Sequence, residues 1–476
     1  MFRRRKASPH STERESDEDM LERKIQDELR AIVGGDGFFV DPEDLASYSY
    51  DAFVREFMPD AAILPRSTEE VSRIMKVAYR EGIKVVARGA GTNLSGNAVA
   101  RQGGIIMSFT RMNRIVEIDI RNRCAVVQPG VVNLALQKEV KKRGFFYPPD
   151  PASMAVCTIG GNVALNAGGP RAVKYGVTRD YVMSLEVVLA DGEIIRTGGK
   201  TVKNVSGYDL TRLIVGSEGT LGIVTEATLR LIPLPQATKT LLALFSSVEE
   251  VAETVSAIVS AGIVPTTLEL MDRVIIDVIR DVGGASFPPN AAALLLIEVD
   301  GDEDSVDKQG QRVAAFCRER GAVQIDAAET QEEADRLWQA RRSVGGAIYK
   351  VTPSLIVEDA VVPVSELPRI IRRIGELSKK YNLKVGVLAH AGDGNLHPDI
   401  MTDVRNEEEM ERVEKFIHEM YEEVIALGGT LSGEHGIGIG KEKYMGLEFS
   451  ERALDLMRGI KKIFDPKNIL NPGSFL

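Results

Sequence analysis

Three short stretches in the first half of the chain are dense in glycine, and they constrain its fold more than any other feature. They read RGAGTNLSG (88–96), TIGGNVALNAGG (158–169) and GSEGTLGIV (216–224). Because glycine has no side chain, backbone N–H groups in such stretches can approach a ligand closely and cradle a phosphate. Between them, the pattern alternates short β-branched strands with helices. The sequence therefore predicts a domain that lays three glycine-rich loops along one long, flat ligand.

The first stretch matches neither of the common nucleotide-binding motifs. A Walker loop requires Lys followed by Ser or Thr after its last glycine, whereas Asn97 follows Gly96. A Rossmann fingerprint requires a third glycine where Leu94 stands, and then a helix that NAVARQGG does not predict. One such stretch by itself favours a tight turn. Three in one domain favour a dinucleotide with an extended tricyclic ring, and a nicotinamide dinucleotide fits less well.

Length and charge narrow the possible functions. With 476 residues, the chain is too long for one ordinary core, so we expect two or more domains. A net charge of −10 and the lack of a basic stripe argue against binding to nucleic acid. No apolar run reaches the roughly 18 residues that a membrane-spanning helix needs.

The cysteine pattern and the first residues indicate the compartment. The cysteines, Cys124, Cys157 and Cys317, are sparse and form no CxxC pair, as expected in a reducing environment. Residues 1–20 lack the apolar region of a secretory signal and mix basic with acidic residues, so they are predicted to form a disordered tail. We expect a cytoplasmic protein that reaches a membrane surface, if at all, only through a partner.

Local patterns divide the rest of the chain. Ser67 and Glu70 form a capping box at the start of a predicted helix that Gly82 ends, and LEVVLADGEIIRTGG predicts a hairpin. The two prolines of LIPLPQA mark a boundary, beyond which strand–helix units of the ferredoxin-like type follow. The predicted parts are a tail (1–20), a first domain (21–235), a second domain (236–440) and a C-terminal segment (441–476) that returns to the first domain.

Several motifs together resemble those of a known protein family. They are RGAGTNLSG, CTIGGNVALNAGG, KYG, GYDLTRLIVGSEGTLGIVTEATLRL, HAGDGNLHP, GEHGIG and LNPG, in the family's order over roughly residues 40–476. The chain resembles the FAD-linked oxidases of the vanillyl-alcohol oxidase superfamily, in the branch of D-lactate dehydrogenases and glycolate oxidase large subunits. The resemblance implies an α+β protein with a two-subdomain N-terminal FAD-binding domain, a C-terminal ferredoxin-like cap and an active site between them.

The resemblance also implies which residues bind FAD. They comprise a pyrophosphate loop, a stretch along the flavin and its ribityl chain, an adenosine-side loop and a C-terminal residue that reaches back towards the flavin ring. The implied residues are Arg88, Gly89, Ala90, Gly91, Thr92, Asn93, Leu94, Ser95, Gly96, Gly160, Gly161, Asn162, Gly168, Ser217, Glu218, Gly219, Gly222, Ile223, Val224 and Asn471. Several relatives attach the flavin through histidine, but His10 is the only histidine before residue 390, and Cys157 is expected to be a buried thiol. We therefore predict non-covalent FAD.

Three of the five histidines fall in two short stretches, HAGDGNLH (390–397) and SGEHGIGIG (432–440). The turn sequence GDGN can bring His390 and His397 to one side, and Glu434 can add a carboxylate oxygen. Two imidazoles and a carboxylate with open positions are typical of a catalytic site for zinc, manganese or iron. The spacing alone leaves a metal site and an ordinary turn open. The resemblance, in which these positions ligate a divalent metal, favours the metal site.

His435 and Arg341 are the candidate catalytic residues. The implied reaction removes a hydride from C2 of a 2-hydroxy acid and transfers it to flavin N5, while the hydroxyl loses a proton. A neutral imidazole, whose pKa is usually about 6.5, can accept that proton. Arg341 matches the family position for the guanidinium that binds the substrate carboxylate. An ordinary helical surface arginine is the alternative interpretation.

We therefore predict an FAD- and metal-dependent dehydrogenase that acts on D-lactate or glycolate. Because LIVEDAVVP holds no further basic residue, 2-hydroxyglutarate is the less favoured substrate. No cysteine cluster holds an iron–sulfur centre, so we expect electrons to pass to an outside acceptor: an iron–sulfur subunit, an electron-transfer flavoprotein, a quinone or a cytochrome. A metal-dependent hydrolase and a non-catalytic flavin subunit are alternative hypotheses, and the sequence leaves a homodimer open.

Overall fold

The computed structural model describes residues 21–282 and 287–474, and the predicted disordered tail, 1–20, lies outside this part. The first subdomain contains α1 (Arg23–Val33), β1 (Phe38–Phe39), α2 (Pro42–Leu45), β2 (Ala61–Ile63), α3 (Thr68–Glu81), β3 (Val85–Arg88) and β4 (Ile105–Ser108). The second contains β5 (Ile115–Asp119), β6 (Cys124–Val127), α4 (Asn133–Lys141), β7 (Phe145–Phe146), α5 (Ile159–Leu165), α6 (Ala172–Tyr175), β8 (Val182–Val188), β9 (Ile194–Gly198), α7 (Leu210–Ile214), β10 (Ile223–Arg230) and β11 (Ile232–Pro233).

Each subdomain is built around its own sheet. The first sheet has the order β1-β2-β4-β3, in which β2, β4 and β3 are parallel and β1 is antiparallel. The second is antiparallel throughout, with the order β5-β6-β10-β8-β9. Separate apolar cores fill the two subdomains, one around Ile74 and Ile105 and the other around Leu136, Val163 and Ile214. The two subdomains therefore pack together as parts of one α+β domain, since Val188 and Ile223 of the second also contribute to the core of the first.

Local rules explain the bounds of α3. The Ser67 hydroxyl accepts a hydrogen bond from the Glu70 N–H at 3.2 Å, and Gly82 ends the helix in the left-handed region with φ +71°. The Glu70 carboxylate accepts the N–H of Arg66 at 2.7 Å. The Ser67 cap is therefore present as predicted. The return bond from Glu70, which a capping box makes to the N–H of the capping residue, goes instead to the N–H of Arg66.

The stretch 158–169 differs from its prediction as a loop, because residues Ile159–Leu165 form α5. Thr158 caps this helix by accepting the N–H of Gly161 at 3.4 Å, and Asn166 ends it with φ +54°. The two glycines obscured the pattern, since glycine disfavours a helix interior by about 1 kcal/mol relative to alanine. Burial of Ile159 and Val163 in the second core outweighs that preference.

The cap follows with β12 (Ala237–Phe245), α8 (Val248–Ser260), β13 (Thr267–Asp272), α9 (Arg273–Asp281), β14 (Ala293–Gly301), α10 (Glu303–Glu319), β15 (Gln324–Ala327), α11 (Gln331–Arg342), α12 (Val344–Ile348), β16 (Ser354–Val357), β17 (Ala360–Val361), α13 (Leu367–Lys380), β18 (Lys384–His390), β19 (Asn395–Thr402) and α14 (Glu407–Ala426). Its eight-stranded antiparallel sheet has the order β15-β12-β14-β13-β18-β19-β16, with β17 beside β19. Helices α8, α10, α13 and α14 cover one face, and α9, α11 and α12 the other. The predicted fold class, two-subdomain domain plus ferredoxin-like cap, is confirmed.

The C-terminal part contains α15 (Gly438–Lys441), α16 (Met445–Glu448) and α17 (Glu451–Phe464). The chain then returns to the first sheet, where Leu470 forms a parallel bridge with Val85. Backbone bonds join Val85 N–H to Ile469 O at 2.7 Å and Asn471 N–H to Val85 O at 2.9 Å. Within the described residues, we find no helix with both the length and the apolar character needed to cross a membrane.

Candidate active site

A cavity of about 590 Å³ lies between the first domain and the 432–440 stretch of the cap. Ten predicted cofactor residues line it: Gly89, Ala90, Gly91, Thr92, Asn93, Leu94, Gly161, Asn162, Glu218 and Gly219. A smaller adjoining cavity shares Gly89, Gly161 and Gly219 with the first and is also lined by six further predicted residues: Arg88, Gly160, Ser217, Gly222, Ile223 and Val224. We call these two connected surfaces the cofactor cradle. All three glycine-rich stretches contribute to it.

The cradle has no room for larger side chains where the stretches meet. A Cβ atom at Gly89 would lie 2.3 Å from the Thr158 hydroxyl oxygen, and one at Gly160 would lie 2.5 Å from the Pro129 Cβ. The Arg88 guanidinium is also committed, since its Nη1 donates to Ala98 O at 2.9 Å, and burial lowers its pKa. The cradle therefore offers mainly backbone, as a closely approached dinucleotide requires.

Four predicted cofactor residues, Ser95, Gly96, Gly168 and Asn471, line neither cavity. The Asn471 side chain donates to the carbonyls of Asn97 and Glu218 at 3.2 and 2.7 Å. A Cβ at Gly96 would lie 2.5 Å from Ile439, and one at Gly168 would lie 2.9 Å from Glu434 Oε2. These four residues therefore lie behind the cavity surface, where they contact other parts of the protein.

Sequence reasoning missed part of the cavity wall. Tyr50, Asp51 and Ala52 line it from the first subdomain, and residues 151–153 line it from the second. These residues carry no nucleotide-binding motif, so only the tertiary structure reveals them. Cys157 also lines the cavity, and burial raises the pKa of its thiol. The thiol is therefore protonated near neutral pH, the unreactive state that the prediction of a buried thiol requires.

The β18–β19 hairpin brings the two predicted histidine ligands together. His397 is paired with Leu388 across the hairpin and His390 with Asn395, so both imidazoles project from one face. Their ring centroids lie 5.1 Å apart. Glu434 reaches them from the 432–440 stretch, with Oε1 3.4 Å from His390 Nε2 and 3.3 Å from His397 Nε2. We call His390, His397, Glu434 and His435 the histidine cluster.

The donor set of this cluster fits a divalent metal. One ligand atom each from His390, His397 and Glu434 lies within 4.8 Å of the others. Burial raises the pKa of Glu434, but its hydrogen bonds to both histidines outweigh burial and hold the pKa below its usual value. Two nitrogens and one carboxylate oxygen leave further coordination positions, which distinguishes a catalytic site from a closed structural one.

Glu269 is a functional partner that the sequence did not indicate. Its Oε1 forms a short hydrogen bond with His390 Nδ1, and its Oε2 accepts from Arg341 Nε at 2.8 Å. Burial raises its pKa, but the charges of His390 and Arg341 outweigh burial and lower it to about 2. A carboxylate on the second nitrogen of a metal-binding histidine fixes the ring's tautomer and orientation. Glu269 thus ties the candidate ligand His390 to the candidate substrate residue Arg341.

His435 stands where the cluster meets the cradle. Its imidazole lines the cavity and stacks on His397 with ring centroids 4.9 Å apart. Its Nε2 lies 3.8 Å from Glu434 Oε1, and its Nδ1 is buried without a hydrogen-bond partner among the described residues. Burial lowers the pKa of His435 to about 4, although the charge of Asp359 opposes this. The imidazole is therefore neutral near pH 7 and can accept a proton.

Arg341 and Arg342 end α11 and differ in environment. The Arg341 side chain is 15% exposed and is held by Glu269. Arg342 lies over the ring of Trp338, with its guanidinium carbon 5.7 Å from the ring centroid. Of these two arginines, Arg341 is the one that Glu269 ties to the histidine cluster.

Comparison with known families decides the affiliation. The profile described as "FAD linked oxidases, C-terminal domain" matches residues 234–475, and the profile "FAD binding domain" matches residues 59–198. The chain belongs to the FAD-linked oxidases. The first match covers the sheet that carries the histidine cluster, and the second covers the first two glycine-rich stretches of the cradle. The resemblance stated from the sequence motifs is therefore confirmed.

Individual relatives agree with this affiliation. "Glycolate oxidase subunit GlcD" of Bacillus subtilis is 48% identical over 95% of this chain and 97% of its own length. The "D-lactate dehydrogenase" of Archaeoglobus fulgidus is 38% identical over 94% and 98% of the two chains. The solved structure of p-cresol methylhydroxylase with bound substrate superposes with a TM-score of 0.79 at 20% identity, covering 95% and 96% of the two chains. At that identity, the structural likeness shows the shared fold alone.

Proposed function

We propose that this FAD-linked oxidoreductase is a metal-dependent dehydrogenase that oxidises a small 2-hydroxy acid, D-lactate or glycolate, to the 2-oxo acid. The observation that carries the proposal is that His435 and Glu434 line the same cavity as the cradle. The proposed base His435, the candidate metal ligand Glu434 and the predicted cofactor surface therefore line one cavity. The names of relatives at 48% and 38% identity support this substrate class.

In the proposed mechanism, the cradle would hold FAD, which would supply the hydride acceptor for C2 at N5. His390, His397 and Glu434 would hold a divalent zinc, manganese or iron ion, which would supply polarisation of the substrate hydroxyl. His435 accepts the hydroxyl proton on its imidazole, which the lowered pKa keeps neutral and ready. The substrate thus loses one hydride and one proton and becomes the 2-oxo acid.

Arg341 is proposed to bind the substrate carboxylate. Its guanidinium is always charged, and the Glu269 carboxylate holds its Nε atom at 2.8 Å, which fixes the plane of the group. The segment Ser354–Val357 and the residues after it carry no lysine or arginine up to Val364. A substrate with a second carboxylate, such as 2-hydroxyglutarate, lacks a basic partner there, so a monocarboxylate is favoured.

The electrons are proposed to leave through an outside acceptor, an iron–sulfur subunit, an electron-transfer flavoprotein or a quinone. Cys124, Cys157 and Cys317 are separate and buried, so they cannot form an iron–sulfur centre. The word "subunit" in the name of the Bacillus subtilis relative supports a protein partner. We propose a cytoplasmic location, with any contact with a membrane made through that partner.

The decisive experiment is anaerobic mixing of the purified, metal-loaded flavoprotein with D-lactate, L-lactate, glycolate and D-2-hydroxyglutarate. We expect D-lactate or glycolate to bleach the flavin absorbance fastest. If D-2-hydroxyglutarate alone bleaches the flavin, the substrate is a dicarboxylic acid and not D-lactate or glycolate. A protein that binds metal but no flavin would favour a hydrolase, and bound flavin that no hydroxy acid reduces would favour a non-catalytic subunit.

A further inference from the structure

The backbone from Gly433 to Gly440 carries Glu434 and His435; residues 433–437 lie outside regular secondary structure, and residues 438–440 begin the short helix α15. Every N–H group in this loop nevertheless has an acceptor. The acceptors are Asp359 Oδ2 for residues 433, 434 and 435, Ser432 Oγ for residue 436, the Glu218 carboxylate for residues 437 and 438, and Ser95 O for residues 439 and 440. The position of the loop is therefore set largely by the groups that accept its N–H bonds.

Asp359 holds the first half of the loop to the cap. It stands between β16 and β17 and is 0% exposed. Its Oδ2 lies 2.9–3.0 Å from the N–H nitrogens of Gly433, Glu434 and His435. The Lys441 ammonium, 3.7 Å from the same oxygen, balances the buried charge. Asp359 thus fixes the position of the loop relative to the cap sheet, which also carries the histidines of the β18–β19 hairpin.

Glu218 holds the second half of the loop to the cradle. It belongs to the third glycine-rich stretch and is 6% exposed. Its Oε1 accepts the N–H of Ile437 at 2.7 Å, and its Oε2 accepts the N–H of Gly438 at 2.9 Å. Its Oε2 also accepts the Ser474 hydroxyl at 3.0 Å. Both oxygens of the carboxylate therefore accept hydrogen bonds from protein groups, although family resemblance predicted that this residue binds the cofactor.

We propose that Glu218 is a positioning residue: it docks the loop onto the cofactor cradle and so sets the distance between His435 and the bound cofactor. Two further bonds act in the same direction, since Asn93 Nδ2 donates to His435 O at 3.0 Å and Ser95 Oγ donates to Gly436 O at 2.9 Å. Glu218 is the charged member of this set. The inference rests on the proposed role of His435 as the base.

The substitution Glu218→Gln tests this with little change in shape. A glutamine amide offers one oxygen and one NH₂ group, so it can satisfy Gly438 and Ser474 but then turns a donor towards the N–H of Ile437. One anchor of the loop is lost while side-chain volume is kept. Glu186→Gln is the matched control, because Glu186 is a 9% exposed carboxylate of the same domain that bonds to Thr68 and Thr225 and not to the loop.

The first measurement is hydrogen–deuterium exchange on the flavin-bound enzyme, followed in peptides that cover residues 432–440. We expect faster exchange in Glu218→Gln than in the wild type and no change in Glu186→Gln. Exchange that stays at the wild-type rate, together with loss of FAD, would show that Glu218 is a cofactor ligand and would overturn the inference. Glu218→Asp, which keeps the charge but shortens the reach, should also accelerate exchange and serves if the glutamine variant does not fold.

The second measurement is the rate of anaerobic flavin reduction by the best hydroxy acid. Misplacing the base should slow reduction about 10- to 100-fold in Glu218→Gln, with metal and FAD content unchanged. An unchanged rate beside faster exchange would overturn the catalytic part of the inference. If the wild type itself is reduced by no hydroxy acid, the proposed function fails, whereas the exchange experiment still decides whether Glu218 docks the loop.

Discussion

The cofactor cradle and the histidine cluster line one cavity, yet they are built in opposite ways. The cradle is made from glycine-rich stretches such as 88–96, which present mainly backbone to the cavity. The cluster is made from buried ionisable side chains, and one of them, His390, is held by a further charged group, the Glu269 carboxylate. The two regions therefore place different demands on the sequence. The cradle requires residues without side chains, whereas the cluster requires particular side chains held by residues that are distant in the sequence.

The largest expected effect comes from the cluster. His435→Ala removes the proposed base but none of the metal ligands, so flavin reduction should slow by about 10²- to 10⁴-fold while bound FAD and metal persist. Stopped-flow reduction and metal analysis of the same sample measure both quantities. Full reduction at the wild-type rate would remove His435 from the mechanism and leave the cluster as a metal site alone.

A smaller effect should follow when only the partner of a ligand is changed. Glu269→Gln keeps the shape but weakens the orientation of His390, so affinity for the divalent metal should fall about 10- to 100-fold. Competition with a chelator measures it. Glu298→Gln is the control, because Glu298 lies on the neighbouring strand β14 and bonds to Thr240 and Trp338 instead. Equal affinities in the two variants would mean that the cluster does not depend on Glu269.

In the cradle, an added methyl group should weaken FAD binding. Gly89→Ala places a Cβ 2.3 Å from the Thr158 hydroxyl oxygen. Overpacking of this kind costs about 1–3 kcal/mol, and if that cost falls on the FAD-bound state, FAD affinity should drop about 5- to 160-fold. Fluorescence titration of the flavin measures it. Gly459→Ala is the control, since nothing lies within 4 Å of a Cβ there. If both variants bind FAD equally, the cradle does not depend on close backbone approach.

The smallest effect is expected at Cys157, which lines the cavity. Burial raises the pKa of its thiol, so the thiol stays protonated and forms no bond to the flavin. Acid denaturation should release all of the FAD from the wild type, and Cys157→Ser should behave the same. Flavin that remains with the precipitated wild-type protein, but not with the serine variant, would contradict the prediction of non-covalent binding.

Much of the cradle could be predicted because its signal is local. The three glycine-rich stretches are continuous in sequence, and sixteen of their predicted residues line the two cavities, three of them lining both. The helix Ile159–Leu165 was missed because its glycines disguise it. The wall residues Tyr50 to Ala52 were missed for a different reason, since no motif marks them and they reach the cavity only through the folding of the first subdomain.

The sequence by itself determined the family, the three-part cradle and the residue types of the cluster, because motifs and spacing are properties of adjacent residues. Only the tertiary structure decided how the cluster is held. Glu269 lies 121 positions before His390, and Asp359 lies 76 positions before His435. Partners so distant meet because the antiparallel cap sheet places β13 beside β18, and because a buried carboxylate is stable only where donors surround it. That requirement follows from packing and cannot be inferred from the order of residues.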